Sequence, residues 1–287
     1  MYKIIEKQQL SADVFYMRVM APDIARNRKA GQFVLVQLDL EFGERVPLTI
    51  ADADAQAGWI ALVFQRVGAT TLKLSQKDEG DEVAAILGPL GNPTHIQKVG
   101  TVVCVGGGIG VAPLYPIVQA YKAAGNRIIV IMGARSKELL IFEDKMRALA
   151  DELVIMTDDG SAGQKGLVTE PLKEFCEQNP KPDEVVAIGP PIMMKFCADT
   201  TRPYGVHTIV SLNTIMIDGT GMCGCCRITV DGKTQFVCVD GPEFDGHLVD
   251  FDNMMLRMRS FKRREEKDMH KCRMEAQADA IASGGGK

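Results

Sequence analysis

The chain has 287 residues, of which 46% are hydrophobic and 24% are charged, and its formal net charge is −4. These values are typical of a globular protein of two or three domains, and the weak acidity gives no basis for binding nucleic acid. The sequence has no apolar run of membrane-spanning length and no apolar signal core near its start, so no membrane association is expected. Eight cysteines without a secretory signal favour a reducing compartment, and the sequence therefore predicts a cytoplasmic protein.

Residues 1–97 are predicted to form a small antiparallel β-barrel. Short apolar and β-branched runs alternate there with breaks that contain glycine, aspartate or proline. The predicted strands include Val14–Met20, Phe33–Leu38, Trp59–Gln65 and Glu82–Leu87. Many short strands at this spacing are typical of a barrel or a sandwich.

Residues 98–210 are predicted to form an α/β domain with a parallel sheet, because strands alternate with helices. The predicted strands are Thr101–Val105, Arg127–Met132, Leu153–Thr157, Glu184–Ile188 and His207–Leu212. The predicted helices are a segment ending near Ala124 and the segments Glu138–Ala150, Pro171–Gln178 and Pro191–Thr200.

A glycine-rich turn between the first strand and helix of this domain is the predicted site for a nucleotide pyrophosphate. The candidate residues are Gly106, Gly107, Gly108, Ile109, Gly110 and Pro113, and Gly108 and Gly110 are expected to face the ligand. Such a turn alone is equally typical of a tight strand-to-helix connection. Two later turns that also follow strands strengthen the prediction, because ligands of open α/β sheets bind at the carboxyl ends of strands. The first of these turns contains Asp158, Asp159 and Gly160, and the second contains Gly189, Pro190 and Met193.

Residues 211–252 are predicted to form a small domain with a 2Fe–2S cluster. Cys223 and Cys226 supply a C-x2-C pair, and Cys238 follows after a spacer that is predicted to form a hairpin. Plant-type clusters add a ligand five positions before the pair, where this chain has Asp218. The same cysteines are compatible with zinc or with ordinary buried thiols.

The fourth ligand of the predicted cluster has two candidates. Asp218 occupies the expected position, but an aspartate there also suits a cap for the turn that follows it. Cys225 competes with it, although its neighbour Cys226 points in a different direction in most backbone conformations. The last segment, 253–287, is predicted to be an exposed or partner-docked helical tail, with Met254, Met255 and Leu256 beside a group of basic residues.

Taken together, these motifs resemble the ferredoxin–NADP reductase superfamily over residues 1 to about 255. A cysteine-rich C-terminal segment narrows the resemblance to two groups: the electron-transfer subunit of dihydroorotate dehydrogenase, and the small subunit of NADH-dependent ferredoxin:NADP oxidoreductase. The run from Asp218 to Arg227 is similar to the second group, since the first group would carry cysteine at position 218.

The resemblance implies that the barrel binds FAD. One matching segment is Arg45, Val46, Pro47, Leu48 and Thr49, in which Arg45 would pair with a phosphate and Thr49 would lie near flavin N5. Leu48 stands where the family usually has tyrosine. The second matching region contains Gln65, Gly68, Ala69, Thr70 and Thr71, and the run from Gly88 to Gly91 resembles the turn that ends the family's barrel.

The expected protein is thus an α+β multidomain electron-transfer subunit with an antiparallel β-barrel flavin domain, a parallel-sheet nucleotide domain, a 2Fe–2S domain and a helical tail. The resemblance implies that electrons pass between NAD(H), FAD and the cluster to a larger subunit that carries flavin and 4Fe–4S clusters, in an electron-bifurcating complex. The alternative to the bifurcating complex is a dihydroorotate dehydrogenase complex. A non-catalytic alternative is a redox-sensing or zinc-stabilised binding module with the same fold. The family favours NADH, although Arg135 follows the second strand, where an arginine can bind the 2′-phosphate of NADPH.

Overall fold

Two large sheets and a short hairpin organise the part of the chain that the structure describes, residues 1–41 and 43–284. In the computed structural model the strands are β1 (Tyr2–Gln9), β2 (Val14–Met20), β3 (Phe33–Gln37), β4 (Arg45–Asp54), β5 (Trp59–Gln65), β6 (Glu82–Val83), β7 (Ala85–Leu90), β8 (Thr101–Gly107), β9 (Arg127–Ala134), β10 (Glu152–Thr157), β11 (Gln164–Lys165), β12 (Glu184–Ile188), β13 (His207–Ser211), β14 (Arg227–Val230), β15 (Lys233–Phe236) and β16 (Glu243–Asp245). The α-helices are α1 (Pro22–Asn27), α2 (Ala69–Ser75), α3 (Val111–Ala123), α4 (Glu143–Leu149), α5 (Thr169–Glu177), α6 (Pro191–Thr201), α7 (Val237–Asp240), α8 (Phe251–Met258) and α9 (Lys262–Gly284).

The first sheet is an antiparallel, nearly closed barrel with the strand order β6-β1-β2-β5-β4-β3-β7. Its two edge strands, β6 and β7, are separated in the chain by a single residue, so the sheet curls back on itself. Alternate residues of the strands point inward, and Met17, Val34, Ile60 and Leu62 form part of a buried apolar interior. The predicted barrel is confirmed.

The second sheet has the order β11-β10-β9-β8-β12-β13-β16 and is parallel except for β16. Helices cover it, which explains why β8, β9 and β12 are continuous apolar runs instead of alternating ones. From β8 the chain first adds β9 and β10 on one side of that strand, and later adds β12 and β13 on its other side. The direction in which strands are added therefore reverses between β8 and β12. A crevice forms at the carboxyl ends of strands at such a reversal.

Both sheets share one apolar core at the place where they meet. Val14, Tyr16 and Ala51 from the barrel lie in the same buried cluster as residues of α3 and β8, and α3 packs against β4. The barrel and the α/β unit are therefore held by a continuous hydrophobic interface, which fixes their relative position.

The helix predicted over Glu138–Ala150 begins later than expected. Residues 137–139 form a 3₁₀ turn and α4 starts only at Glu143. Phe142, just before it, has a left-handed φ of 59° and turns its ring onto Tyr16 and Tyr115. This aromatic contact with the barrel interrupts the helix.

The C-terminal segments pack on the rest of the chain. β16 joins the second sheet beside β13, and β14 and β15 form the predicted hairpin. The tail is two helices with a 3₁₀ turn between them rather than one. Met254 on α8 belongs to the core, whereas Leu256 is exposed, and α9 packs against α2. Among the tail side chains that the structure describes, Met254, Met269 and Cys272 are buried, whereas most of the polar residues of α9 are exposed. Docking of the tail on a partner stays a prediction. Among residues 1–41 and 43–284, the structure contains no helix with both the length and the apolar character that a membrane crossing requires.

Candidate functional site

A cleft of about 1070 Å³ lies between the barrel and the second sheet, at the carboxyl ends of β8 and β12. Its volume is at the upper end of the range for sites that hold one small ligand. The predicted site residues that line it are Val46, Pro47, Leu48, Thr49, Gln65, Thr71, Gly107, Gly108, Ile109, Gly110, Pro113, Asp158, Gly189, Pro190 and Met193. The structure therefore brings predicted flavin residues and predicted nucleotide residues into a single space.

Strand β4 changes partner where it borders the cleft. Residues 45–49 pair with β3, while Ile50–Asp54 pair with β5. Among the described residues, 45–49 therefore pair with a strand on one side only, that of β3. The backbone edge on their other side faces the cleft, which residues 46–49 line. Pro47 is tolerated at such an edge because it has no N–H to contribute to a ladder.

The glycine-rich turn after β8 contains glycines with two different functions. A Cβ on Gly107 would lie 2.3 Å from Met193 Sδ, and one on Gly110 would lie 2.3 Å from the carbonyl oxygen of Ile188. These two positions therefore allow the turns after β8 and β12 to touch. Gly108 differs, since it has a φ of +55° and open space where a side chain would be. Gly108 therefore leaves open space at the cleft, and its contact with a ligand stays a prediction, whereas a side chain at Gly110 would clash with the protein itself.

Some predicted residues lie outside the cleft lining: Arg45, Gly68, Ala69, Thr70, Gly106, Asp159 and Gly160. Arg45 is exposed and donates from Nε to Gln37 Oε1 at 3.3 Å, while Thr70 donates to Glu44 Oε2 at 2.8 Å. Asp159 accepts bonds from the N–H and hydroxyl of Ser161, and the Ser161 hydroxyl holds the pKa of that carboxyl below its usual value.

One wall of the cleft was missed by sequence reasoning. It comprises Leu139, Gly166, Leu167, Val168, Thr169, Phe196, Ser211, Leu212, Asn213, Thr214 and Met216. Most of these residues directly follow β11 or β13, so the rule that ligands bind at the carboxyl ends of parallel strands would have found them. Leu167 and Phe196 are exposed apolar side chains at the cleft, with 58% and 52% of their surface accessible.

The cleft has the features of an incomplete binding site. Thr214 Oγ1 is buried and has no hydrogen-bond partner among the described residues, and such a hydroxyl is costly to leave unmatched. Gly108 leaves open space at the turn that leads into α3. Together with the apolar walls, these features fit flat aromatic rings joined by a pyrophosphate.

Three of the predicted cluster ligands, Asp218, Cys223 and Cys226, lie on a loop that docks on the barrel, and the fourth, Cys238, lies on α7. Gly219, Gly221 and Gly224 have φ values of +77°, +86° and +66°, a conformation that glycine adopts at little cost. A Cβ on Gly219 would lie 2.6 Å from Leu35 Cδ1 and 3.1 Å from Leu90 Cδ1. The loop therefore rests closely on β3 and β7, beside the strand that borders the cleft.

The cysteines of this region form two neighbouring pairs. Cys226 Sγ lies 3.2 Å from Cys238 Sγ, and both residues are buried, with burial raising the pKa of Cys238 to about 12. Cys223 and Cys225 are neighbours closer to the surface. The backbone N–H of Cys225 holds the pKa of the Cys223 thiol below its ordinary value, and burial raises the pKa of Cys225.

The spacing of the buried cysteine pair suits two ligands of one metal ion. A tetrahedral metal with bonds of about 2.3 Å to sulfur separates two thiolates by about 3.7 Å, and Cys226 Sγ lies 3.2 Å from Cys238 Sγ. Within the described residues, no three His, Cys, Asp or Glu side chains are grouped closely enough to hold a metal ion. The Cys226–Cys238 pair therefore fits one iron of a 2Fe–2S cluster, and Cys223 and Asp218 stay the further predicted ligands.

Asp218 caps its own loop in this structure. Its Oδ2 accepts bonds from the N–H of Thr220 at 3.0 Å, from the Thr220 hydroxyl at 2.5 Å and from the N–H of Met222 at 3.2 Å. The Thr220 hydroxyl, more than any other group, holds the pKa of this carboxyl below its usual value. All three hydrogen bonds are accepted by Oδ2, so the cap does not use both oxygens of the carboxylate. Ligation of the cluster by Asp218 stays a prediction.

Comparisons with known proteins agree with both halves of this site. Residues 104–199 match the oxidoreductase NAD-binding domain, and residues 213–250 match the iron–sulfur cluster binding domain of dihydroorotate dehydrogenase B. A Thermotoga maritima homolog of the dihydroorotate dehydrogenase B (NAD(+)) electron transfer subunit is 47% identical over 92% of this chain and 93% of its own length. The Desulforamulus reducens electron transfer subunit of that enzyme is 35% identical over 84% of this chain and 94% of its own.

Solved structures show the same fold. A chain from a structure of NADH-dependent reduced ferredoxin–NADP oxidoreductase, determined in a study of flavin-based electron bifurcation, superposes with a TM-score of 0.89 and 44% identity, over 94% of this chain and 97% of that one. The cytochrome b5 reductase domain of Ulva prolifera nitrate reductase superposes with a TM-score of 0.61 at 18% identity, over 73% of this chain and 95% of that one, which shows the fold alone.

These findings make the chain an NAD(P)H-dependent oxidoreductase subunit whose cofactors are FAD, a 2Fe–2S cluster and NAD(H). The two relatives named above cover 92% and 84% of the chain. The chain belongs to the family of dihydroorotate dehydrogenase B electron-transfer subunits and their homologues, with the fold of the ferredoxin reductases.

Proposed function

We propose that this subunit exchanges electrons between NAD(H), FAD and a 2Fe–2S cluster and passes them to a larger partner subunit, in an NADH-dependent reduced ferredoxin:NADP oxidoreductase that bifurcates electrons. The observation that carries the proposal is the shared cleft. Flavin-type residues of β4 and nucleotide-type turns of β8 and β12 line one space, and the cysteine loop rests on the barrel next to it.

The barrel side of the cleft is proposed to hold FAD. Residues 45–49 present an unpaired strand edge, with Leu48 and Thr49 toward the ring system, Gln65 beside them and Thr71 at the helix that follows. Arg45, Gly68, Ala69 and Thr70 lie outside the cleft lining, so an induced shift of these residues toward the pyrophosphate is part of the proposal.

The opposite side is proposed to hold NAD(H). Gly108 leaves open space for the pyrophosphate at the turn into α3, and Asp158, Arg135, Pro190 and Met193 line the same cleft. NADH bound there would supply a hydride for the flavin, and the flavin would supply single electrons for the cluster. The role of the chain is to hold the rings in contact and to keep water away with its apolar walls.

The cluster is proposed to be held by Asp218, Cys223, Cys226 and Cys238. The Cys226–Cys238 pair is already close to metal-binding separation, and Cys223 lies on the same loop. Asp218 fills the first position of the plant-type spacing. A carboxylate is a harder donor than a thiolate, so its presence would change the cluster potential relative to an all-cysteine site.

Two candidate complexes remain, and a separate observation favours each. Asp218 at the first ligand position and the 44% identity to the chain of the ferredoxin–NADP oxidoreductase favour the bifurcating complex. The Thermotoga maritima and Desulforamulus reducens relatives are named as a homolog of the dihydroorotate dehydrogenase B electron transfer subunit and as that subunit, which supports that enzyme as the second candidate. Both candidates are compatible with a cytoplasmic subunit, and the eight free cysteines support a reducing compartment.

The partner decides between them. The subunit would be purified with an affinity tag from its native cells without oxygen, and the co-purifying protein identified by mass spectrometry and assayed. We expect a larger iron–sulfur flavoprotein and NADPH-dependent reduction of ferredoxin that requires NAD⁺. Oxidation of dihydroorotate by the complex, without ferredoxin reduction, would replace the first candidate by the second.

A further inference from the structure

The turn that ends the barrel, residues 88–94, contacts the segment that carries Cys238. Gly91 has a φ of +76°, and a Cβ there would lie 2.8 Å from Phe33 Cε1 and 2.9 Å from Pro242 Cδ. The glycine thus brings the turn into direct contact with the chain just beyond Cys238. This turn does not line the cleft.

Asn92 binds this segment through three hydrogen bonds. Its backbone N–H donates to the Gly241 carbonyl at 2.7 Å. Its side-chain Nδ2 donates to the Val239 and Asp240 carbonyls, each at 3.1 Å. These carbonyls lie at the C-terminal end of α7, the four-residue helix that contains Cys238. The last carbonyls of a helix have no hydrogen-bond donor within that helix. Asn92 supplies that cap from the barrel.

Two further contacts complete the junction. The Thr94 hydroxyl donates to Glu243 Oε1 at 2.6 Å, two residues beyond Gly241. On the other side of the cysteine loop, Gly219 rests against Leu35 and Leu90. Strands β3 and β7 of the barrel and the turn after β7 therefore hold the cysteine-bearing region at both of its ends.

We propose that Asn92 is a positioning residue for the iron–sulfur cluster: it caps the helix of Cys238 and thereby fixes the cluster relative to the barrel. The inference rests on the proposed function, in which Cys238 is a ligand. Asn92 is neither a proposed ligand nor part of the cleft lining, and it acts through the backbone of residues 239–241.

The amide group is what the position requires. A neutral amide offers two N–H donors to two carbonyls that point toward it. Aspartate has nearly the same shape but would place a carboxylate oxygen against those carbonyls. Alanine would leave them to water. Glutamine keeps the donors on a longer stem and should restore part of the function.

The test is release of the cluster from the full-length holoprotein to an iron chelator, followed by loss of cluster absorbance. Gln32→Ala is the matched control. It removes one hydrogen bond to the same turn, from Gln32 Nε2 to the Gly91 carbonyl, and one outside it, from Lys29 N–H to Gln32 Oε1, without touching residues 238–241. Asn92→Ala should release iron on the order of tenfold faster than wild type, since two hydrogen bonds change an opening equilibrium by about that factor.

The series has a predicted order. Asn92→Asp should release iron at least as fast as Asn92→Ala, Asn92→Gln more slowly than either, and Gln32→Ala at nearly the wild-type rate. The EPR line shape of the reduced cluster should change in Asn92→Asp while the thermal unfolding midpoint stays close to that of Gln32→Ala. Equal release from wild type and Asn92→Ala would overturn the proposal, as would release from Gln32→Ala as fast as from Asn92→Ala.

A separate variant distinguishes failure of this inference from failure of the proposed function. Cys238→Ser should lower the iron content of the purified protein. If Cys238→Ser keeps its full iron and sulfide, the ligand assignment is wrong. If Cys238→Ser loses the cluster but Asn92→Ala behaves as wild type, the ligand assignment holds and only the role of Asn92 is wrong.

Discussion

The turn after β8 and the cysteine loop are both rich in glycine, but the glycines serve different purposes. In the turn, Gly107 and Gly110 allow two backbone segments to touch, and added Cβ atoms would lie 2.3 Å from Met193 Sδ and from the Ile188 carbonyl. In the loop, Gly219, Gly221 and Gly224 have left-handed φ values. The first set provides close packing, and the second provides backbone conformations that other residues adopt at a cost.

This difference indicates how each site reaches its final shape. The cleft is bounded by buried strands and by a core that the barrel and the second sheet share, so protein contacts alone define it. The cysteine loop is more exposed: 86% of the surface of Met222 is accessible, and Cys223 is exposed. A metal site that is incomplete in the protein alone gains its final order from the metal.

The largest effect is expected from Gly110→Val, which tests whether the turn is defined by packing. The new side chain would meet backbone atoms of Ile188 and Gly189, which cannot move aside as a flexible side chain can. We expect a loss of stability of at least about 3 kcal/mol and no reduction of the flavin by NADH. Denaturant unfolding and stopped-flow absorbance measure both.

Gly108→Ala is the control for this prediction. Space is open at that position, and the main cost is the left-handed φ of +55°, roughly 1–2 kcal/mol. A Gly110→Val protein as stable as Gly108→Ala would show that the turn is not held by packing.

The tail offers a second test, since α9 packs on α2, the helix that carries Thr71 on the cleft. Met269 on α9 is 8% exposed, while Met274 on the same helix is 55% exposed. We expect Met269→Ala to lower the free energy of unfolding by about 2 kcal/mol and to weaken FAD binding, with Met274→Ala within about 0.5 kcal/mol of wild type. Equal effects of the two substitutions in urea unfolding would remove the structural role assigned to α9.

A third test asks whether Asp218 completes the cluster or only caps its loop. If the carboxylate is a ligand, Asp218→Cys should keep the cluster but change its EPR spectrum and midpoint potential, because a thiolate is a softer donor. Cys225→Ser should leave both unchanged. The opposite pattern, with the cluster lost in Cys225→Ser and an unaltered spectrum in Asp218→Cys, would make Cys225 the fourth ligand.

A further test concerns Glu243, the acceptor of the Thr94 hydroxyl at the junction of the barrel and the cysteine segment. Burial raises the pKa of Glu243 to about 7, while the Thr94 hydroxyl lowers it and Glu184 raises it slightly. Because the pKa of Glu243 in the folded protein exceeds the usual 4.5, protonation of this carboxyl stabilises the folded state. That stabilisation is fully present below about pH 4.5 and is lost as pH rises through about 7. Urea unfolding midpoints at pH 5 and pH 8 should therefore differ more in wild type than in Glu243→Gln. An equal difference in both proteins would show that Glu243 titrates normally.

Much of the fold follows from local sequence patterns. The predicted bounds of β2, β5 and β12 are those of the structure, because each is an apolar run bounded by turn residues. The start of α4 could not be predicted in this way. Phe142 leaves the helical conformation to contact Tyr16, more than a hundred residues earlier in the chain, and no local pattern encodes that contact.

The candidate site was also only partly predictable. The glycine turns have compositions that identify them, but the wall formed by Ser211–Thr214 and Met216 has an ordinary composition. Its place in the cleft depends on the position of β13 in the sheet. Likewise, the sequence could not show that Gly110 faces Ile188 and Gly108 the open cleft, since both glycines belong to one motif.

The most direct test of the account is anaerobic mixing of the purified full-length protein with NADH, followed by flavin absorbance and by freeze-quench EPR of the cluster. The account predicts that the flavin bleaches first and that the cluster signal then appears, whereas in Cys226→Ser the flavin bleaches and no cluster signal follows. A cluster that stays oxidised in wild type while NADH fully reduces the flavin would contradict the central claim, that one chain connects the nucleotide cleft to the iron–sulfur cluster.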